Sequence, residues 1–280
     1  MVITHPEKVL FPEDAITKGE LAAYYEMIAP LLLPHILRRP VTMERFHRGI
    51  GEDGFFQKNV EKGPGWLERV TVPKKDGVVH YPLVTDTRSL LWLANQNCIT
   101  PHVWVSRAPD LMHPDLCVFD LDPLTEQLDV LRACTLALRD LLAELGLKSW
   151  VKTSGSKGFH VAVPLDAKSD YGEVERFAHR VGREMVRRDP EHLTQEFAKA
   201  DRGGRILVDT GRNGFGATFA AAYAVRAKPG APISAPCTWE EVESGAGPQS
   251  FRLRHMAERV AEVGDVWGDL LESRFALPEM

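Results

Sequence analysis

Cys117-Val118-Phe119-Asp120-Leu121-Asp122 is the clearest buried strand in the chain, and its reading decides the fold. The strand period of two puts Val118, Asp120 and Asp122 on one face and Phe119 and Leu121 on the other. Two carboxylates side by side on a strand repel each other and cost desolvation unless a cation sits between them. Hard divalent ions such as Mg2+ and Mn2+ take oxygen ligands, and two of them about 3.5–4 Å apart suit phosphoryl transfer. The plainer reading is a strand-end acid pair bonded to backbone amides or to arginine.

Outward from this strand, Glu126 to Leu145 predicts a long helix ended by Gly146. Trp150 to Thr153 and Phe159 to Pro164 read as two strands around a tight turn, and Tyr171 to Arg188 as helix. Arg205 to Asp209 and Phe219 to Arg226 read as strands, with helices near Trp239 and from Leu253 to Leu271 closing the chain. On the N-terminal side, Thr17 with Glu20 three residues on caps a helix to about Leu37, bent near Pro30 and Pro34. Val41 to Phe46, Phe55 to Lys58, Arg69 to Val72, Val78 to Tyr81 and His102 to Val105 read as strands, and Thr87 to Asn97 as helix. No linker is visible, so a single domain over 1–280 is expected. A weak boundary around Pro109 to Pro114 divides it into lobes 1–110 and 111–280.

Two further elements carry chemistry. Asp209 ends the strand Ile206-Leu207-Val208-Asp209 and is followed by Arg212 and, later, Arg226; alone it reads equally well as a turn-initiating acid before Gly211. Lys152-Thr153-Ser154-Gly155-Ser156-Lys157-Gly158-Phe159-His160 is either a plain hairpin or a small-residue turn offering N–H groups, hydroxyls and a lysine to an anion. It is not a Walker loop. His160 alternates with Phe159 and Val161 and so faces away from their apolar side. A haloacid-dehalogenase reading fails, because Leu124 stands where that family has threonine and Gly264-Asp265 follows no apolar strand.

Of 280 residues, 44% are hydrophobic and 26% charged, the mix of a globular protein with a sizeable core. No apolar run reaches the roughly 18 residues of a membrane span, and Met-Val-Ile-Thr-His-Pro is no secretory signal, so a cytoplasmic protein without a membrane partner is expected. Cys98, Cys117, Cys134 and Cys237 form no CxxC pair, which argues against structural zinc and a disulfide framework. The net charge of −5 gives no hint of a nucleic-acid partner until it is divided. Residues 151–235 carry 14 basic and 10 acidic side chains, whereas 236–280 carry 4 and 9. A basic region is thus averaged with an acidic tail, which points to a few placed cations and a shallow salt dependence.

Together, Phe119-Asp120-Leu121-Asp122-Pro123, Lys152 to Val161 and Ile206 to Thr218 are similar to the polymerase domain of bacterial DNA ligase D, within the archaeo-eukaryotic primase superfamily. The likeness extends in order to VLFP, TKGE, FFQKN at Phe55 to Asn59 and AVRAKPGAP at Ala224 to Pro232. The resemblance implies an α+β primase-like fold of mostly antiparallel sheets flanked by helices, with DNA-end contacts in 1–110 and the catalytic lobe in 111–280. It implies that Asp120, Asp122 and Asp209 hold two divalent ions, Mn2+ or Mg2+. Ser154, Lys157, His160, Arg212 and Arg226 would grip the triphosphate of an NTP or dNTP, with His102 near the incoming nucleotide. Lys8 and Lys18 would hold a DNA 5′-phosphate. Phe55 and Phe56 would mark the template path, one in the core and one against a base, with Arg45 and Lys58 as further contacts.

The activity implied is template-directed extension of 3′ ends across short gaps at 5′-phosphorylated breaks, with ribonucleotides preferred. The partners implied are gapped, nicked or broken DNA in the bacterial nucleoid, Ku and a DNA ligase. A primase that starts chains de novo and a non-catalytic end-bridging module are the alternatives.

Overall fold

Thr17 opens the first helix with a reciprocal cap: its hydroxyl accepts from the Glu20 amide, and the Glu20 carboxylate accepts from the Thr17 amide. In the computed structural model, which describes residues 1–279, β1 (Val9–Phe11) and β2 (Ile16–Thr17) precede α1 (Lys18–Ile36). β3 (Val41–Arg45), β4 (Phe55–Gln57), β5 (Arg69–Lys74) and β6 (Gly77–Pro82) lead to α2 (Thr87–Asn95) and β7 (Cys98–Val103). Next come β8 (Leu116–Asp122), α3 (Leu128–Glu144), β9 (Trp150–Thr153), β10 (Phe159–Pro164), α4 (Tyr171–Arg188), β11 (Leu193–Thr194) and β12 (Ile206–Asp209). The last elements are β13 (Phe219–Ala220), β14 (Ala224–Val225), β15 (Ile233–Ser234), β16 (Pro236–Cys237), α5 (Trp239–Glu243) and α6 (Met256–Val263).

These elements form two units. The first comprises Met1–Asp110, Thr218–Ser234 and Phe251–Asp265; the second comprises Leu111–Ala217, Ala235–Ser250 and the residues from Val266 on. The sequence reading ran the second lobe unbroken from 111. Residues 218–234 and 251–265 return to the first unit because β13 pairs with β7 and Pro232 bridges Arg252.

The second unit is built on a six-stranded sheet ordered β11-β12-β8-β10-β9-β16, antiparallel except for β11 with β12. β8 lies inside it, and α3 and α4 pack against β10 and β8. Phe119, Leu121, Phe159, Val161, Leu138 and Phe177 are fully buried there. Truncating any one of the phenylalanines to alanine costs about 3–5 kcal/mol in such a core. In the first unit, β13-β7-β3-β4 form a four-stranded antiparallel sheet, with α1 and α2 packed together beside it.

Several predicted bounds shift. The strand expected at 102–105 begins at Cys98, whose backbone pairs with Arg45. Phe219 to Arg226 splits into β13 and β14, with Tyr223 between them at a φ of 63°. The helix expected from Leu253 to Leu271 is cut to α6, because Gly264 takes a φ of 68° and ends it. β1, β2, β11, β15 and β16 are too short to carry a periodic signal.

Candidate active site

The two strands beside β8 bring the site of the second unit together. Asp209 on β12 is the cross-strand partner of Asp120, and on the other side His160 of β10 is opposite the same residue. Asp122 lies two residues on and pairs with Leu207. Two glycine-bearing turns hold this register. Gly158 is required where β10 begins, because a Cβ there would lie 1.7 Å from the Leu121 carbonyl oxygen. Past Asp209, buried Asn213 bonds both ways with the Val118 backbone, at 2.8 and 2.7 Å, and so ties the Thr210–Asn213 turn to β8.

Charges in this row are paired. Arg212 reaches Asp120 Oδ2 at 3.4 Å and Asp209 Oδ2 at 3.1 Å, so one guanidinium serves two carboxylates. His160 Nε2 lies 3.5 Å from Asp120 Oδ1, while its Nδ1 is 2.7 Å from Nζ of Lys152. A lysine ammonium only donates, so Nδ1 accepts and Nε2 carries the hydrogen that faces Asp120. Asp122 is held by Arg202, whose Nη1 lies 3.1 Å from Oδ2. Burial would raise the pKa of Asp120, but His160, Arg212 and Lys152 outweigh it and hold that carboxyl well below its usual range. For Asp209 the balance is reversed: burial and the neighbouring Asp120 and Asp122 charges raise its pKa against the opposition of Arg212 and the Gly211 amide.

Among the described residues no three His, Cys, Asp or Glu side chains are gathered as a metal gathers its ligands. The donor set nevertheless fits a hard divalent cation. All three acids offer oxygen, and burial, with the Asp120 and Asp122 charges, disfavours the Asp209 carboxylate, which such a cation would stabilise.

The Ser154 turn departs from the expected anion cradle. Ser154 Oγ accepts from the amides of Ser156 at 3.1 Å and Gly158 at 3.0 Å, so those two donors are spent inside the turn. Lys157 is exposed and donates weakly to the Leu124 carbonyl at 3.4 Å.

In the first unit, the sheet β4-β3-β7 sorts the remaining residues onto two faces. Phe56 is the cross-strand partner of Glu44, and Glu44 of Thr100. Glu44 Oε2 lies 3.1 Å from His102 Nε2, and the Phe56 ring stands edge-on to His102 at 5.3 Å. Burial alone would raise the Glu44 pKa, but His102 and the Arg226 charge lower it below the usual carboxylate range. Arg226 itself follows β14, its amide donating to the Pro232 carbonyl.

The opposite face carries Arg45 and Phe55, a cross-strand pair. The Arg45 guanidinium lies over the Phe55 ring at 5.4 Å and bonds the Gln96 carbonyl and Gln57. Lys18 is buried, with Nζ 3.3 Å from Thr4 Oγ1, and burial plus the charges of Lys8 and Arg45 lower its pKa. Lys8 is half-buried. Lys58 follows directly on β4, on the side of Phe56 in the strand alternation. The expectation that one of Phe55 and Phe56 is a core residue fails: they are 39% and 64% exposed, because β4 is an edge strand.

Sequence reasoning missed Glu44, Lys152 and Arg202. The register of the β9–β10 hairpin sets Lys152 opposite His160 and could have marked it. Arg202 bonds Asp122 across 80 residues and leaves no local signal.

A carboxylate row flanked by arginine, lysine and histidine suits nucleotidyl transfer, and similarity to known proteins identifies the class as primase-polymerase. Residues 17–267 match the family model described as LigD, primase-polymerase domain. The multifunctional non-homologous end joining protein LigD of Mycolicibacterium smegmatis is 35% identical over 275 residues, covering 96% of this chain and 35% of that protein. Its namesake in Pseudomonas aeruginosa is 36% identical, covering 97% and 33%. Among solved structures, the polymerase domain from Mycobacterium tuberculosis ligase D in complex with DNA superposes with a TM-score of 0.92 at 32% identity, covering 98% of this chain and 99% of that one. The chain belongs to the LigD primase-polymerase domain family. It spans about a third of the length of the LigD proteins it matches.

Proposed function

We propose that this chain is a template-directed polymerase that extends 3′ ends across short gaps at 5′-phosphorylated DNA breaks during non-homologous end joining, preferring ribonucleotides. The observation that carries the reading is the register of Asp209 opposite Asp120, with Asp122 two residues on, in a chain of this family. Asp120, Asp122 and Asp209 would hold Mg2+ or Mn2+. Bound there, the ions supply charge to activate the primer 3′-hydroxyl and to offset the leaving pyrophosphate. Arg212, Lys157, Ser154 and His160 hold the triphosphate oxygens, and Lys152 keeps the His160 Nε2–H facing the reacting side.

On the first unit, His102, Phe56 and Arg226 meet the incoming nucleotide. Lys8 and Lys18, with Arg45 beside them, take the 5′-phosphate; three clustered cations of which one is buried favour a doubly charged anion. Phe55 lines the DNA path, and Lys58, on the side of Phe56, contacts the backbone or the nucleotide. Ku and a DNA ligase are the partners of this reading, and the nucleoid its location. No helix among the described residues is long and apolar enough to cross a membrane.

The test is nucleotide addition on gapped DNA bearing a 5′-phosphate or a 5′-hydroxyl, with NTP or dNTP and Mg2+ or Mn2+. Templated addition that is faster on the 5′-phosphate gap supports the reading. Binding without addition favours the end-bridging alternative, and dinucleotide synthesis without a primer favours a primase.

A further inference from the structure

Helix α4 carries five arginines, and the three nearest its start are left unmatched by the fold. Arg176, Arg180 and Arg183 stand four and three residues apart, so they share one face of the helix, and Arg187 continues the row. Arg176 and Arg183 are exposed and Arg180 is half-buried. Among the described residues none of the three meets a carboxylate or donates a hydrogen bond, and Arg180 Nε is shielded from water without a partner. Elsewhere Arg132 meets Asp129, Arg139 meets Glu243, Arg188 meets Glu144 and Arg254 meets Glu20. The acids of α4 are directed away from the row. Glu173 caps the helix start, and Glu184 holds Arg187 and Arg188. Glu175 points at the Gly214 turn, its Oε1 lying 2.8 Å from where a Cβ on that glycine would stand. Like charges three and four residues apart weaken a helix, so the row carries a cost that no acid on α4 offsets.

Its position separates the row from the acids of β8. Phe177 and Val181 on the inner side of α4 are fully buried, as are Phe119 and Leu121 of β8, against which the helix packs. Asp120 and Asp122 belong to the other face of that strand, where Asp122 stays 40% exposed. The arginines therefore face away from the acid row, with a helix about 10 Å across between them. No large apolar side chain is exposed on α4, so this face lacks the anchors of a protein–protein contact. Interfaces with nucleic acid are more polar and more positively charged, and a guanidinium offers paired N–H donors that match two phosphate oxygens. From Arg176 to Arg187 the row is about 16 Å long. One strand of a duplex carries a phosphate about every 3.4 Å of its axis, so each arginine has one to meet. We propose that the outer face of α4 is a second DNA-binding surface, where Arg176, Arg180 and Arg183 clamp phosphates of a duplex outside the reacting end. The choice of DNA among polyanions rests on the proposed function.

The experiment titrates a blunt 5′-hydroxyl duplex by fluorescence anisotropy at salt from about 50 to 200 mM. It compares the wild-type chain with Arg176→Gln/Arg180→Gln/Arg183→Gln and with Arg176→Lys/Arg180→Lys/Arg183→Lys, with thermal unfolding of each. The glutamine variant should bind about tenfold more weakly at the low-salt end and flatten the slope of log affinity against log salt by about three. The lysine variant, which keeps the charges, should keep the slope. Where the triple glutamine variant does not fold, Arg183→Gln alone should flatten the slope by about one. The kcat for single-nucleotide addition to a 5′-phosphorylated gap should stay at the wild-type value. Unchanged affinity and slope overturn the proposal and leave the polymerase reading intact. So does a glutamine variant that loses binding to polyglutamate but not to the duplex, which assigns the face to an acidic protein. A wild-type chain that binds the duplex through the row yet adds no nucleotide upholds the surface and overturns the polymerase reading.

Discussion

The two principal sheets solve the same problem differently. In the second unit the polar row lies in the sheet interior: Asp120, His160 and Asp209 sit on adjacent strands, and each has a charged or imidazole partner within 3.5 Å. In the first unit the polar and aromatic residues sit toward the edge strand β4, and the pleat divides them between two faces. Phe55 goes with Arg45, and Phe56 with Glu44 and His102. An interior row fixes geometry and shields charge, as bond-making chemistry requires. An edge leaves flat surfaces open, as the binding of a polymer and of changing nucleotides requires.

That contrast can be broken by substitution. Lys152 acts on the site through its bond to His160 and through its charge near Asp120. Lys152→Met should therefore lower kcat by about 10–100-fold with little change in affinity for a DNA end; an unchanged kcat would remove the lysine from the site. Lys18→Ala should weaken binding to a 5′-phosphorylated gap about tenfold while leaving a 5′-hydroxyl gap nearly unaffected, as measured by equilibrium titration. Equal losses on the two ends would deny a phosphate pocket.

Smaller effects should divide by face. Phe56→Ala should raise KM for the nucleotide about fivefold at constant end affinity, and Phe55→Ala should do the reverse. If both variants moved the same constant, the two-face assignment would fall.

The smallest effect concerns stability. Burial, with the charges of Arg107 and Arg39, pushes the His35 pKa down to about 3, so His35 is neutral when folded and takes up a proton on unfolding. Its contribution is complete above its unfolded pKa of about 6.5 and is lost as pH falls from there toward 3, at up to about 1.4 kcal/mol per pH unit. The denaturant midpoint of wild type should fall relative to that of His35→Phe as the pH is lowered through that window.

How much was legible follows the same divide. CVFDLD, the Lys152–His160 hairpin and the strand ending in Asp209 announce themselves by local period and turn residues, and the sheet that unites them is antiparallel between neighbours. The Glu44–His102 pair spans 58 residues and depends on the pairing of β3 with β7, which no local pattern encodes. Phe55 and Phe56 were misread because alternation predicts opposite faces but not that both faces of an edge strand stay open. The return of β13 to the first sheet was invisible for a similar reason, since two paired residues carry no period.

The central claim is that the Asp120–Asp122–Asp209 row is a metal-dependent nucleotidyl-transfer centre. The most direct test is Asp120→Asn in single-nucleotide addition to a 5′-phosphorylated gap with Mn2+, measured beside equilibrium binding to the same DNA. The account predicts a loss of about a thousandfold in addition at unchanged DNA affinity. A variant that keeps addition within a few-fold of wild type would contradict it.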